Sequence, residues 1–222
     1  MGFGFMFLGL FFLFPTVPFP DAETGLSGFA GFIADFFGGS GKAALGFLLL
    51  FFGCGKAYKH CTRFDITKRL AGFGILFSLV CFAAGELASS GLVTNATYAL
   101  YTVFLLGFFL YYMRSLLDVA TDTGVDKIRR RAASGIILSF IFIGGGRILG
   151  GLGDFFPKIS EKTAYWLAVG GFSAQVFYII YALCVTFSCY MRICLEGDED
   201  MPDNRKFKYK TPADFYEKKH KK

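Results

Sequence analysis

The feature that most constrains this chain is the length of its uninterrupted apolar runs. Residues 3–19, 43–57, 70–88, 96–117, 132–152 and 165–194 form six such runs, each holding at most one charged residue. A hydrocarbon core of about 30 Å is crossed by roughly 20 apolar residues in a helix. The runs reach or approach that length, the second only if 38–42 enters the interface. A helix that is apolar all round has no face to offer water, and inside lipid a helix satisfies its own backbone. The reading is an all-α integral membrane protein: a six-helix transmembrane bundle at 1–194 and a charged tail at 195–222.

Composition agrees. The chain is 54% hydrophobic before its 28 glycines are counted, with 30 phenylalanines and a mean hydropathy of +0.50. Soluble domains reach about 45–50% with glycine included. The net charge of +6 does not point to nucleic acid, because the basic residues flank apolar runs and no nucleic-acid signature accompanies them. Residues 3–19 could be taken for a signal peptide, but they lack a basic n-region and end among Pro15, Pro18 and Pro20. They read as a retained span.

Charge sets the orientation. Of the 23 lysines and arginines, Lys42, Lys158 and Lys162 fall in one set of connections and Arg147 in a span, leaving 19 on the opposite side. Basic residues mark the cytoplasmic face. The expectation is an N-in, C-in protein of the plasma membrane, with Tyr165 and Trp166 in the outer aromatic belt. Tyr111, Tyr112 and Tyr190 are expected in the inner one. In the first outer connection, apolar residues at 26–37 recur at helical spacing. They read either as an interfacial or re-entrant helix or as a kinked extension of the second span. In the tail an acidic block precedes a basic one. Thr211, Pro212 and Asp214 then supply the start of a short helix, against the alternative of a solvated, disordered tail.

An internal repeat is legible. The third and fifth spans align without gaps at a spacing of 61, setting Gly74 on Gly135, Ser78 on Ser139, Gly85 on Gly146 and Glu86 on Arg147. The fourth and sixth spans share Tyr112-Met113-Arg114 and Tyr190-Met191-Arg192. The bundle therefore reads as built from repeated helical hairpins. A three-hairpin bundle resembles the mitochondrial carriers, but their Pro-x-acid-x-x-base motif is missing from the odd-numbered spans, and no family assignment results.

Ionisable groups inside spans are costly and are functional candidates. Glu86 and Arg147 stand out, each 17 residues beyond a basic anchor, Arg69 and Arg130. That is about 25 Å along a helix, in the outer third of a span. They read as an ion pair or the lining of an outward vestibule, or else as side chains that snorkel to the headgroups. Gln175 is the third intramembrane polar candidate. Arg147 lies in a glycine cluster, Gly144, Gly145, Gly146, Gly150 and Gly151, which permits close helix packing or acts as a hinge.

No catalytic constellation is present. His60 and His220 sit among lysines without a placed acid or nucleophile. Cys54, Cys61 and His60 match no zinc spacing, and none of the six cysteines lies in an outer connection, against a disulfide framework. No metal and no cofactor are expected. The first functional reading is a non-enzymatic membrane subunit, in contact with the bilayer and with a membrane or cytoplasmic partner through its tail. The second is a small-solute transporter or substrate-binding membrane subunit with an outward cavity around Arg147 and Glu86.

Overall fold

The computed structural model describes residues 2–15, 41–58, 61–87, 91–155 and 160–191. Every regular element in this set is helical: α1 (Phe3–Phe12), α2 (Gly41–Ala57), α3 (Phe64–Leu87), α4 (Gly91–Asp122), α5 (Asp126–Leu138), a π-helical segment (Ser139–Gly144), α6 (Gly145–Phe155) and α7 (Glu161–Cys189). α5, the π segment and α6 run on without a break and form one rod. The helix expected at 26–37 and the tail at 195–222 lie outside the described residues.

Four stretches are long and apolar enough to cross a bilayer: Phe64–Ala84, Ala96–Asp122, Asp126–Leu152 and Lys162–Cys189. Their outer faces carry exposed Phe73, Leu76, Val103, Ile137, Phe140 and Phe177. An apolar surface this continuous suits lipid and not water. The described residues are thus all-helical in their regular structure, with the make-up of an integral membrane protein.

Helix ends differ from the ends of the apolar runs, and the reason is physical. An apolar run measures contact with hydrocarbon, whereas a helix continues wherever its backbone bonds persist. α3 begins at Phe64, so Asp65 and Arg69 form an i,i+4 ion pair at 2.6 Å inside its first turns. α4 runs on to Asp122, and only Thr123 to Val125 separates it from α5, with Gly124 at φ +70 making the turn. α1 moves the other way. It stops at Phe12, well short of 19, because the ring of Pro15 pushes Phe14 out of the helical region. Ten residues of helix span about 15 Å, half a hydrocarbon core.

Neighbours in sequence are neighbours in space. α1 packs on α2, α2 on α3, α3 on α4, α4 on α5 and the π segment, and α6 on α7; α7 closes the ring on α1. Successive rods are antiparallel. Residues 131, 135 and 146 of one rod meet 181, 178 and 171 of the next, and Phe77 meets Tyr101 and Phe104 where Arg63 meets Asp118. The start of α1 and the end of α7 therefore share one end of the bundle with the basic residues around Arg63 and Arg129.

The core is aromatic. The Phe47 ring meets Phe108 edge-on at 5.1 Å, Phe109 meets Tyr178 at 5.0 Å, and Phe108 stacks on Tyr112. Tyr112, expected in the inner belt, is fully buried and bonded to Thr186 at 2.7 Å; Tyr111 and Tyr190 are exposed. A Tyr at a helix end has two faces available, and here α4 turns position 112 inward and position 111 outward.

The repeat also needs adjustment. α3 is α-helical throughout, while the equivalent stretch of the fifth rod contains the π segment. A π turn inserts about one extra residue, rotating the remainder of the rod by about 100°. The spacing of 61 keeps Gly74 with Gly135 and Ser78 with Ser139, and slips for Gly85 with Gly146 and Glu86 with Arg147.

Candidate functional site

At the end of the bundle away from Arg63 and Arg129, the rods part around a cavity of about 240 Å³. Its wall is drawn from every part of the ring: Leu13 and Phe14 after α1, Lys42 at the start of α2, Cys81 and Ala84 on α3, Thr97, Tyr98 and Tyr101 on α4, Ile143 in the π segment, Arg147 on α6, Gln175 and Ile179 on α7. Leu105 and Phe109 line it toward the aromatic core, and Pro15 and Ala43 also contribute.

The local backbone explains how Arg147 gets there. The Ser139 hydroxyl donates to the Ile136 carbonyl at 2.7 Å, and the Tyr178 hydroxyl donates to the Gly135 carbonyl at 3.2 Å. Side-chain donors inserted into the backbone ladder loosen it, and here α-helix gives way to π at Ser139. Gly145 resumes the rod with its N–H donating five residues back to Phe140. The extra residue sets the rotation at which Arg147, two positions later, meets the cavity.

Glycine fixes the depth. A Cβ on Gly146 would lie 2.8 Å from the Gly171 carbonyl oxygen, and one on Gly171 would lie 2.3 Å from the Gly146 oxygen and 2.8 Å from the Gly150 nitrogen. The backbones of α6 and α7 touch, which only glycine allows. Of the cluster singled out in the sequence, Gly146 and Gly150 therefore serve this crossing. A Cβ on Gly144 would make ordinary contact with Leu106, one on Gly145 would meet nothing within 4 Å, and Gly151 is buried.

Arg147 is half-buried. Its guanidinium lies 4.7 Å from the ring centre of Tyr98 and 5.3 Å from that of Tyr101. The Tyr98 hydroxyl also reaches the Arg147 carbonyl at 3.5 Å. Such cation–π contacts contribute about 0.5–2 kcal/mol each. They hold the guanidinium against the two rings without supplying a hydrogen bond to its nitrogens. The Nε atom is buried with no hydrogen-bond partner. A buried donor left unpaired costs about 1–3 kcal/mol, more when charged, so a polar partner for this group would be favoured.

Gln175 is buried, and its amide nitrogen donates to the Gly171 carbonyl at 3.2 Å, one turn back in its own helix. Lys42 adds a second positive charge from α2. Glu86 stands in the last turn of α3, past Ala84, but its side chain lies outside the described residues, as does any pairing with Arg147. The described wall holds no carboxylate. Among the described residues no three His, Cys, Asp or Glu side chains gather into a metal-holding group.

Sequence reasoning brought out Arg147 and Gln175, which the fold sets on one cavity. It missed Lys42, Cys81, Tyr98 and Tyr101. Lys42 carried a signal, as one of three cations on the cation-poor side. The tyrosine pair at i and i+3 reads as ordinary belt aromatics until the neighbouring rod is seen. Chemically the site offers fixed positive charge, neutral donors and apolar walls, a set suited to binding. No family model, curated protein or solved structure matches the chain.

Proposed function

We propose that this chain is a non-enzymatic multi-pass membrane protein that takes a small solute into the cavity around Arg147, as a transporter or as the substrate-binding subunit of one. The observation that carries the reading is a partly buried arginine whose Nε lacks a partner, on the wall of a cavity that every rod helps to line. Most buried polar side-chain atoms are satisfied by protein, so an unpaired charged donor beside a cavity favours a ligand. The reading includes six spans in the plasma membrane, both termini cytoplasmic, and the cavity open to the outside. The glycine-mediated contact of α1 with α2, where a Cβ on Gly9 would meet the Gly46 oxygen at 2.7 Å, supports counting these two as a membrane hairpin. The charged tail at 195–222 is the proposed contact for a cytoplasmic partner.

Cys81 gives a native test, since it lines the cavity and is partly exposed. A membrane-impermeant thiol reagent added to intact cells is expected to modify the wild-type chain at Cys81 and to lose that modification in Cys81→Ala. A Cys81 that resists every impermeant reagent from outside, while reacting in detergent-unfolded protein, would overturn the outward cavity.

A further inference from the structure

Resting on the outward cavity just proposed, we infer that its ligand is a small organic anion, a carboxylate or phosphate on an apolar body, received by the Arg147 guanidinium with Lys42 as second cation. Three observations lead there. The Tyr98 and Tyr101 rings, with centroids 4.7 and 5.3 Å from the guanidinium carbon, hold Arg147 at the cavity by cation–π contact before a ligand arrives. The Arg147 Nε is buried and has no hydrogen-bond partner, so the protein leaves this charged group undersatisfied. A guanidinium presents its N–H donors in a planar array that matches two oxygens of a carboxylate or phosphate.

The second observation is charge. The described wall carries two cations and no carboxylate. Clefts lined by one sign of charge within low-dielectric walls concentrate the opposite ion, by about tenfold or more. Such a wall disfavours a cation.

The third is size and wall chemistry. A volume near 240 Å³ holds about eight water-sized groups at roughly 30 Å³ each. Leu105, Phe109, Ile143 and Ile179 supply apolar surface on the same wall, suited to the body of such an anion. Two sources share this chemistry: a dissolved organic acid or phosphate, and the phosphate of a lipid headgroup entering from the outer leaflet.

Cys81 reports on both charge and occupancy. Two impermeant methanethiosulfonates of similar size, one an anionic sulfonate and one a trimethylammonium cation, are applied to the full chain in phosphatidylcholine vesicles. The anion-to-cation rate ratio at Cys81 is expected to exceed, by about tenfold, the ratio at an exposed control cysteine, Lys162→Cys in Cys81→Ala. Arg147→Gln should remove most of the excess and Lys42→Gln part of it. Benzoate or inorganic phosphate at millimolar concentration should slow modification of Cys81 in the wild type and not in Arg147→Gln. If phosphatidylglycerol vesicles alone slow it, again only with Arg147 present, the headgroup is the source, and the anion assignment still holds.

A ratio equal to the control overturns the assignment, as does an elevated ratio with no protection by benzoate, phosphate or phosphatidylglycerol. A preference that emerges only in Glu86→Gln assigns Arg147 to an internal ion pair and overturns it too. Cys81 unreactive to both reagents instead overturns the outward cavity itself, a failure distinct from these.

Discussion

Thr186 and Tyr112 settle the direction of a buried hydrogen bond by counting protons. The Thr186 hydroxyl has one proton, and it goes to the Ala182 carbonyl at 2.8 Å, one turn back in α7. The bond of 2.7 Å between the two hydroxyls is therefore donated by Tyr112. The consequence is an asymmetry. Tyr112→Phe removes a donor and leaves Thr186 still bonded to Ala182, at a cost of about 1 kcal/mol. Thr186→Val leaves a phenol unpaired in a core where both residues are fully buried, at about 1–3 kcal/mol. Thermal unfolding in detergent should therefore rank Thr186→Val below Tyr112→Phe, and the reverse order would mean that the proton assignment is wrong. Nothing in the run Leu110-Tyr111-Tyr112 distinguishes the two tyrosines, because a one-residue step on a helix surface turns by about 100° and only the neighbouring rods decide which one is buried.

At the scale of elements, the crossing of α6 with α7 and the π segment before it show which parts of the site a sequence can reveal. The spacing Gly146-x-x-x-Gly150 announces a close approach, and a close approach is found, because small residues four apart share one helix face. The partner, Gly171, could not be read from that spacing, since it belongs to another rod. The π segment was not legible either. Its causes are a hydroxyl at Ser139 and a bond from Tyr178, the second a tertiary contact between residues 43 apart. The same insertion spoils a gapless repeat that looked sound in one dimension. These glycines differ in what substitution does. Gly171→Ala puts a Cβ 2.3 Å from backbone and must force the rods apart, a destabilisation of about 1–3 kcal/mol, with loss of the charge preference at Cys81. Gly145→Ala meets nothing within 4 Å and replaces a poor helix former by the best, for a gain of up to about 1 kcal/mol. Melting temperatures of the two variants should move in opposite directions. A shared direction would remove the close crossing as the reason for Gly171.

At the scale of the molecule, the apolar runs foretold membrane helices because the cost of wetting them is local and additive along the chain. The cavity was less legible, because it is assembled from single residues at the ends of successive rods and no local pattern records that convergence. What joins the two is the ring. In an antiparallel ring of sequence neighbours, every second connection falls at the same end, so charge asymmetry and cavity position are set by one variable, the direction of threading. Lys56, Arg63, Lys68, Arg69, Lys127, Arg129, Arg130 and Arg131 all belong to the end remote from Arg147. If these residues hold the cytoplasmic side, as basic residues do, the cavity must open outward. Single cysteines test this without reference to any ligand. In a Cys81→Ala background, Lys162→Cys, beside the cavity end, should react with an impermeant maleimide on intact cells. Lys127→Cys, exposed at the start of α5, should react only after permeabilisation. If Lys127→Cys is instead labelled in intact cells and Lys162→Cys protected, the bundle threads the other way. The arginine would then serve a cytoplasmic ligand, and its two tyrosines would clamp it for a site reached from inside.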